Sequence, residues 1–119
     1  MTIVPIDITT DNDVVVARFR GDIDISNRTA AVSQILAAVD NEATGVILDL
    51  AEVRYLDSAG VSMIFDLARQ LEPCRQRLGV ALAEDSPLRT LFKITSVHEV
   101  VALCTSVNQC AAALRDARD

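Results

Sequence analysis

Basic charge is scarce in this chain. Against 17 acidic side chains stand 11 basic ones, only Lys93 among them a lysine, for a formal charge of −6 over 119 residues. Nucleic-acid binders present a basic face, and anionic lipid attracts polybasic segments, so the balance argues against both. Uninterrupted apolar runs fall well short of the ~20 residues a membrane helix needs. A basic-then-apolar leader is also missing, since Asp7 and Asp11 interrupt the opening. Cytoplasmic localisation without a membrane span is the expectation. The three cysteines, Cys74, Cys104 and Cys110, form no C-x-x-C pair and leave an odd count. They read as small buried hydrophobes in a reducing compartment, not as a redox site. Histidine occurs once, at His98, and neither a metal-ligand cluster nor a phosphate-cradling glycine loop is present in the sequence. Hydrophobic residues, by contrast, make up 50%. That is enough for a full core without disulfides or metals, and too much for intrinsic disorder.

Strand and helix patterns alternate along what reads as one domain over residues 1–119. Ile3 to Ile8 is a β-prone run. Thr9 to Asp13 is polar and turn-like, and Val14 to Arg20 is a second strand, so the two suit a hairpin. From Asn27 the period changes. Val32, Ile35, Leu36 and Val39 mark one helix face, with Ser26 or Asn27 as its cap. Val46 to Leu50 is wholly apolar but for Asp49, as in a strand covered on both sides. Val61, Ile64, Phe65 and Ala68 mark a second helix reaching about Leu71, which Pro73 disturbs. Val80 to Ala83 is a fourth strand. Ser86-Pro87 opens a short helix bearing Leu88, Leu91, Phe92 and Ile94. Val100 to Cys104 is a fifth strand, and Ser106 caps a last helix from Val107 to about Arg115. The order β-β-α-β-α-β-α-β-α predicts an α/β domain, a mixed five-stranded sheet packed with about four helices.

Two loops carry the chemistry. Tyr55-Leu56-Asp57-Ser58-Ala59-Gly60 joins a buried strand to an amphipathic helix. Asp57 or Ser58 can cap that helix by accepting a backbone N–H. The partial positive charge at a helix start also tolerates an anion there, so a serine hydroxyl could carry phosphate. Gly21-Asp22-Ile23-Asp24-Ile25-Ser26 follows the second strand. Its acids are either a solvated turn or contacts for a cation or basic partner. Loops of this kind can cluster at one sheet edge, which would bring Asp24 near Ser58.

These segments resemble a STAS domain, the fold of bacterial anti-sigma-factor antagonists. Gly21-Asp22-Ile23-Asp24 is similar to the family's Gly-Glu-Leu-Asp segment. Val46 to Leu50 followed by Asp57-Ser58-Ala59-Gly60 is similar to its strand and Asp-Ser-(Ser/Ala)-Gly phosphorylation motif. Leu91 to Thr95 and Ser106-Val107 resemble its third-helix end and last-helix start. The likeness spans nearly the whole chain, in order. It implies an antagonist that binds an anti-sigma factor, itself a serine kinase, and so releases a sigma factor for transcription. Phosphorylation of Ser58 would end that binding, and a serine phosphatase would restore it. The implied partner surface comprises Asp22, Asp24, Ser26, Asp57, Ser58, Ala59 and Gly60. The chain would have no catalytic residue, metal or cofactor of its own, because ATP and Mg²⁺ would belong to the kinase. The alternative within the fold is a subunit of a stressosome-like or lipid-transport assembly.

The sequence departs from the family pattern in places. Asp22 replaces Glu. Glu72-Pro73-Cys74-Arg75-Gln76-Arg77-Leu78 replaces a basic tail ending in Gly-Gly, which predicts an early stop to the second helix. Ser96-Val97-His98 stands where Gly is common. Two readings outside the family fit less well. Leu56-Asp57-Ser58-Ala59-Gly60 lacks the first Gly of the hydrolase elbow G-x-S-x-G, and His98 would be its sole base. A phospho-aspartate receiver at Asp49 would need an acidic pair after the first strand, which the opening lacks, and a late lysine outside a helix, whereas Lys93 falls in a predicted one. Asp49 reads instead as a loop anchor.

Overall fold

A computed structural model describes residues 6–21 and 27–118, with side chains described up to residue 116. The chain opens with a hairpin of β1 (Ile6–Asp11) and β2 (Val14–Phe19). The Thr9–Asp13 segment, expected as a five-residue turn, is mostly strand, with Thr9 opposite Val16 and Asp11 opposite Val14. Thr is at ease in extended backbone, and the reversal needs only two residues because Asn12 adopts a left-handed φ of 57°. Primed hairpin turns require that conformation at their first central position, and Asn tolerates it. The expected residues Ile3 to Pro5 lie outside the described ones.

The chain then alternates through α1 (Arg28–Ala37), β3 (Gly45–Asp49), α2 (Ser58–Leu71), β4 (Arg77–Ala81), α3 (Leu88–Ile94), β5 (Ala102–Cys104) and α4 (Val107–Arg118). The sheet order is β1-β2-β3-β4-β5. Only the β1–β2 pair is antiparallel, while β2 through β5 run parallel. The predicted order of elements therefore holds. Beyond α2, a 3₁₀ turn at Glu72–Cys74 and a left-handed Arg75 (φ 57°) complete the early stop at Pro73. The fifth strand is shorter than expected. Val97–Glu99 forms a 3₁₀ turn entered through Ser96 at φ 64°, so Val100 and Val101 lie before the strand begins.

Side-chain alternation divides the core into two layers. Val15, Ala17, Phe19, Val46, Leu48, Leu78 and Val80 face the larger one, with Ile35, Met63, Ile64, Leu67 and Phe92 from α1, α2 and α3. Val14, Ile47, Ala81 and Cys104 face the smaller one, closed by Cys110, Ala111 and Leu114 of α4. Val46, Ile47 and Leu48 are all completely buried, which explains the unbroken apolar run of β3. Each such side chain contributes about 1.5–3 kcal/mol on burial.

Helix α4 starts where expected. Ser106 Oγ accepts the Gln109 N–H at 3.1 Å, and Gln109 Oε1 accepts the Thr105 N–H at 2.6 Å. Further along α4, the Arg115 guanidinium donates to the Asp13 carboxylate at 2.8 Å, closing the hairpin turn onto the helix. The Thr44 hydroxyl and Arg115 together hold the Asp13 carboxyl below the usual range. Gly79 lets α4 descend on β4, since a Cβ there would lie 2.9 Å from Cys110 Sγ.

Cys104 and Cys110 are buried side by side, with both thiols directed at the Ala102 carbonyl oxygen, at 3.9 and 3.6 Å. Burial, reinforced by the Cys104 thiol, pushes the Cys110 thiol well up. Cys74 is exposed on the 3₁₀ turn, a correction to its expected burial that follows from the chain leaving the core at Pro73. Thiolate, not thiol, is the reactive species. A disulfide reagent at neutral pH should therefore titrate one cysteine, Cys74, in the native protein and all three only in denaturant. Rapid native reaction of Cys104 or Cys110 would contradict this packing.

Candidate functional site

The segment between β3 and α2 returns a side chain to the core at every third position. Leu50, Val53 and Leu56 are buried, so Ala51, Glu52, Arg54 and Tyr55 are turned to solvent. Backbone bonds hold this course. Leu50 N–H donates to the Ala81 carbonyl at 3.0 Å, and Val53 N–H donates to the Leu50 carbonyl at 3.0 Å. The Asp49 carboxylate accepts the Ala51 N–H at 3.1 Å, so Asp49 anchors the loop. Arg18 of β2 grips Glu52 at 2.8 Å, with both side chains about half exposed. Such a pair contributes little stability but ties the loop to the neighbouring strand.

Asp57 is extended (φ −88°, ψ −173°), and its carboxylate accepts the Gly60 N–H at 3.0 Å. That settles which residue caps the helix. Ser58 is consequently the first helical residue, exposed, and its hydroxyl makes no hydrogen bond among the described residues. The next two residues, Ala59 and Gly60, are buried with Met63 and Ile64. Gly60 makes room for Leu56, because a Cβ on it would fall 2.3 Å from Leu56 Cδ2 and the buried leucine side chain would have to move. The residues flanking Ser58 on either side are therefore fixed inward or tied to backbone, and the hydroxyl is left outward beside the unpaired amides of a helix start.

Of the expected partner residues, Asp57, Ser58, Ala59 and Gly60 come together on this turn, with only the first two reaching the surface. Asp22, Asp24 and Ser26 lie outside the described residues. The described end of β2 lies parallel beside the end of β3, at the sheet edge from which the Ser58 loop leaves. The same edge is laced by Arg89 of α3, whose guanidinium donates to the carbonyls of Ala83 (2.9 Å), Leu82 (3.0 Å) and Cys104 (3.4 Å). The sequence reading missed that role, as it missed the inward turn of Leu56 and the 63% exposure of Tyr55. The i, i+3, i+6 spacing of Leu50, Val53 and Leu56 was the signal for the second. His98 is exposed, with Nδ1 facing the Phe92 carbonyl at 3.2 Å. No hydrogen bond joins it to Ser58. Among the described residues, no group of acids, cysteines and histidine could hold a metal ion, and no helix is long and apolar enough to cross a membrane.

Comparison with known proteins gives a concordant result. The STAS domain model matches residues 5–110. A Bordetella bronchiseptica protein, provisionally named the anti-sigma factor antagonist BtrV, is 28% identical over 105 residues, covering 87% of this chain and 89% of that one. The crystal structure of an anti-sigma factor antagonist from Mycobacterium paratuberculosis superposes with a TM-score of 0.80 at 21% identity, over 96% of both chains. The antagonist SpoIIAA is similar in its unphosphorylated form (TM-score 0.75, 17% identity, 93% of this chain and 96% of that one). Its Bacillus counterpart in the phosphorylated form is similar as well (TM-score 0.66, 21% identity, 91% and 98%). At these identities the structures establish the fold, a single STAS domain with a five-stranded mixed sheet and four helices. The chain belongs to the STAS domain family.

The cap and the close approach make a joint prediction. Asp57→Ala should lower stability by about 1 kcal/mol, the usual cost of losing an N-cap oxygen. Gly60→Ala should also destabilise, because overpacking costs about 1–3 kcal/mol and outweighs the ~1 kcal/mol that Ala gains over Gly inside a helix. Urea unfolding curves check both, and a stabilised Gly60→Ala variant would contradict the Leu56 contact.

Proposed function

We propose that this protein is an anti-sigma factor antagonist whose docking is controlled by phosphate on Ser58. In this reading the unmodified protein binds a serine-kinase anti-sigma factor and frees its sigma factor. The kinase transfers the γ-phosphoryl of ATP to the Ser58 oxygen, and the hydroxyl proton leaves as the P–O bond to ADP breaks. The partners then separate, and a serine phosphatase returns the active form by hydrolysis. ATP and Mg²⁺ are the kinase's, and the antagonist acts by binding, without catalysis of its own. Transcription in a stress response is the setting that suits such a switch.

One observation carries the reading. The Ser58 hydroxyl is exposed at the first helical position while its neighbours are held by the core and the cap. A phosphate there adds about −1.5 to −2 charges at neutral pH. At a helix N-terminus that charge is favourably placed, so the carrier keeps its fold. The cost falls on the complex, where bulk and charge must be accommodated between two surfaces. Asp57 already contributes negative charge to the turn. The names of the Bordetella relative and of SpoIIAA in its two forms favour the same function.

The test is incubation with kinase-type anti-sigma factors and ATP, followed by intact mass and site mapping. The expected result is a single phosphate on Ser58. In binding assays Ser58→Ala should hold the partner in the presence of ATP, whereas Ser58→Asp should bind about 10-fold or more weakly, as like charge at an interface costs several kcal/mol. Phosphate on another residue, or equal affinity of wild type and Ser58→Asp, would overturn the proposal.

A further inference from the structure

The chain has no Trp, one Tyr and three Phe. Phe19 and Phe92 are fully buried, and Phe65 packs partly into the main core. The tyrosine is spent differently. Tyr55 is 63% exposed, three residues before Ser58. The loop around it is nonetheless pinned to the core. Val53 and Leu56 are buried on either side, and Asp57 is committed to the Gly60 amide. The ring is thus displayed from backbone that is already ordered.

That arrangement leaves most of the ring's apolar area unburied in the isolated protein, and an aromatic side chain gains most by burial. It suits an interface. Aromatic residues supply large contact area for few rotatable bonds, dominate binding hot spots together with Arg, and act best when the chain carrying them is preorganised. Arg54, also exposed, stands next to Tyr55 on the same loop. Among the described residues, the other large exposed apolar side chains are Ile94, the last residue of α3, and Val100, which precedes β5, and neither belongs to the β3–α2 loop.

We infer that Tyr55 is the aromatic anchor by which this protein docks on the kinase that modifies Ser58. This rests on the function proposed above and adds a residue and a chemistry to it. The partner must offer an apolar slot for the ring, rimmed by an acceptor for the phenol hydroxyl, beside the site that receives Ser58. The ring supplies the affinity, and the serine three residues later sets whether that affinity is usable. Anchor and switch are then separable functions of one turn.

The experiment measures binding of wild type, Tyr55→Ala, Tyr55→Phe, Ile94→Ala and Ser58→Asp to the kinase-type anti-sigma factor in the absence of ATP. Thermal melts of each variant accompany it. Tyr55→Ala should bind about 10-fold or more weakly, as a hot-spot truncation does, with Tyr55→Phe within about 3-fold of wild type. Ile94→Ala should bind as wild type does, and Tyr55→Ala should keep the wild-type melting temperature because its side chain stabilises little in the free protein. Tyr55→Ala binding within about 3-fold of wild type, while Ser58→Asp is impaired, would overturn the anchor and leave the switch standing. Failure of wild type itself to bind would overturn the proposed function, and the anchor with it.

Discussion

The contact between Leu56 and Gly60 is the constraint on which the site depends. Leu56 turns into the core, and its Cδ2 occupies the space a side chain on residue 60 would need. The helix therefore begins with its third residue pressed against the loop that feeds it. Asp57 completes the turn by capping the same Gly60 amide. With Leu56 and Ala59 buried on either side, Ser58 has one direction left, outward. The exposure of one hydroxyl is thus a packing result.

The sheet supplies the second level of control. Strands β2 to β5 are parallel, so every strand-to-helix connection emerges at one edge. The β3–α2 loop is bound there to β2 through Arg18 and Glu52. Arg89 fastens the ends of β4 and β5 by donating to three carbonyls. The motif serine thereby stands at that edge, while the mostly apolar cores lie behind. A binding switch gains from this division, since charge can change at the edge without reaching the buried layers.

Much of this could be read from residues. The apolar run of β3, the Ser106 cap and the helix stop at Pro73 are local patterns, and local patterns survive into the fold. The family likeness placed Ser58 at a helix start for the same reason. Other features depend on partners distant in sequence. Periodicity cannot tell that Thr9 to Asp11 extend the first strand, because polar residues on an edge strand look like loop. It cannot choose between Asp57 and Ser58 as cap, a choice seen only in the extended Asp57 whose carboxylate accepts the Gly60 N–H. Nor could it show that Cys74 is outside while Cys104 and Cys110 are within. The grip of Arg89 on the Cys104 carbonyl of β5 and on two carbonyls just beyond β4 has no local sign at all.

The account holds that phosphate acts on the surface of an unchanged carrier. Amide hydrogen exchange on Ser58-phosphorylated and unmodified protein addresses this most directly. Protection should change only in the β3–α2 loop and the first turn of α2, with β2, β3 and β4 exchanging alike in both forms. Loss of protection across the central strands on phosphorylation would contradict it.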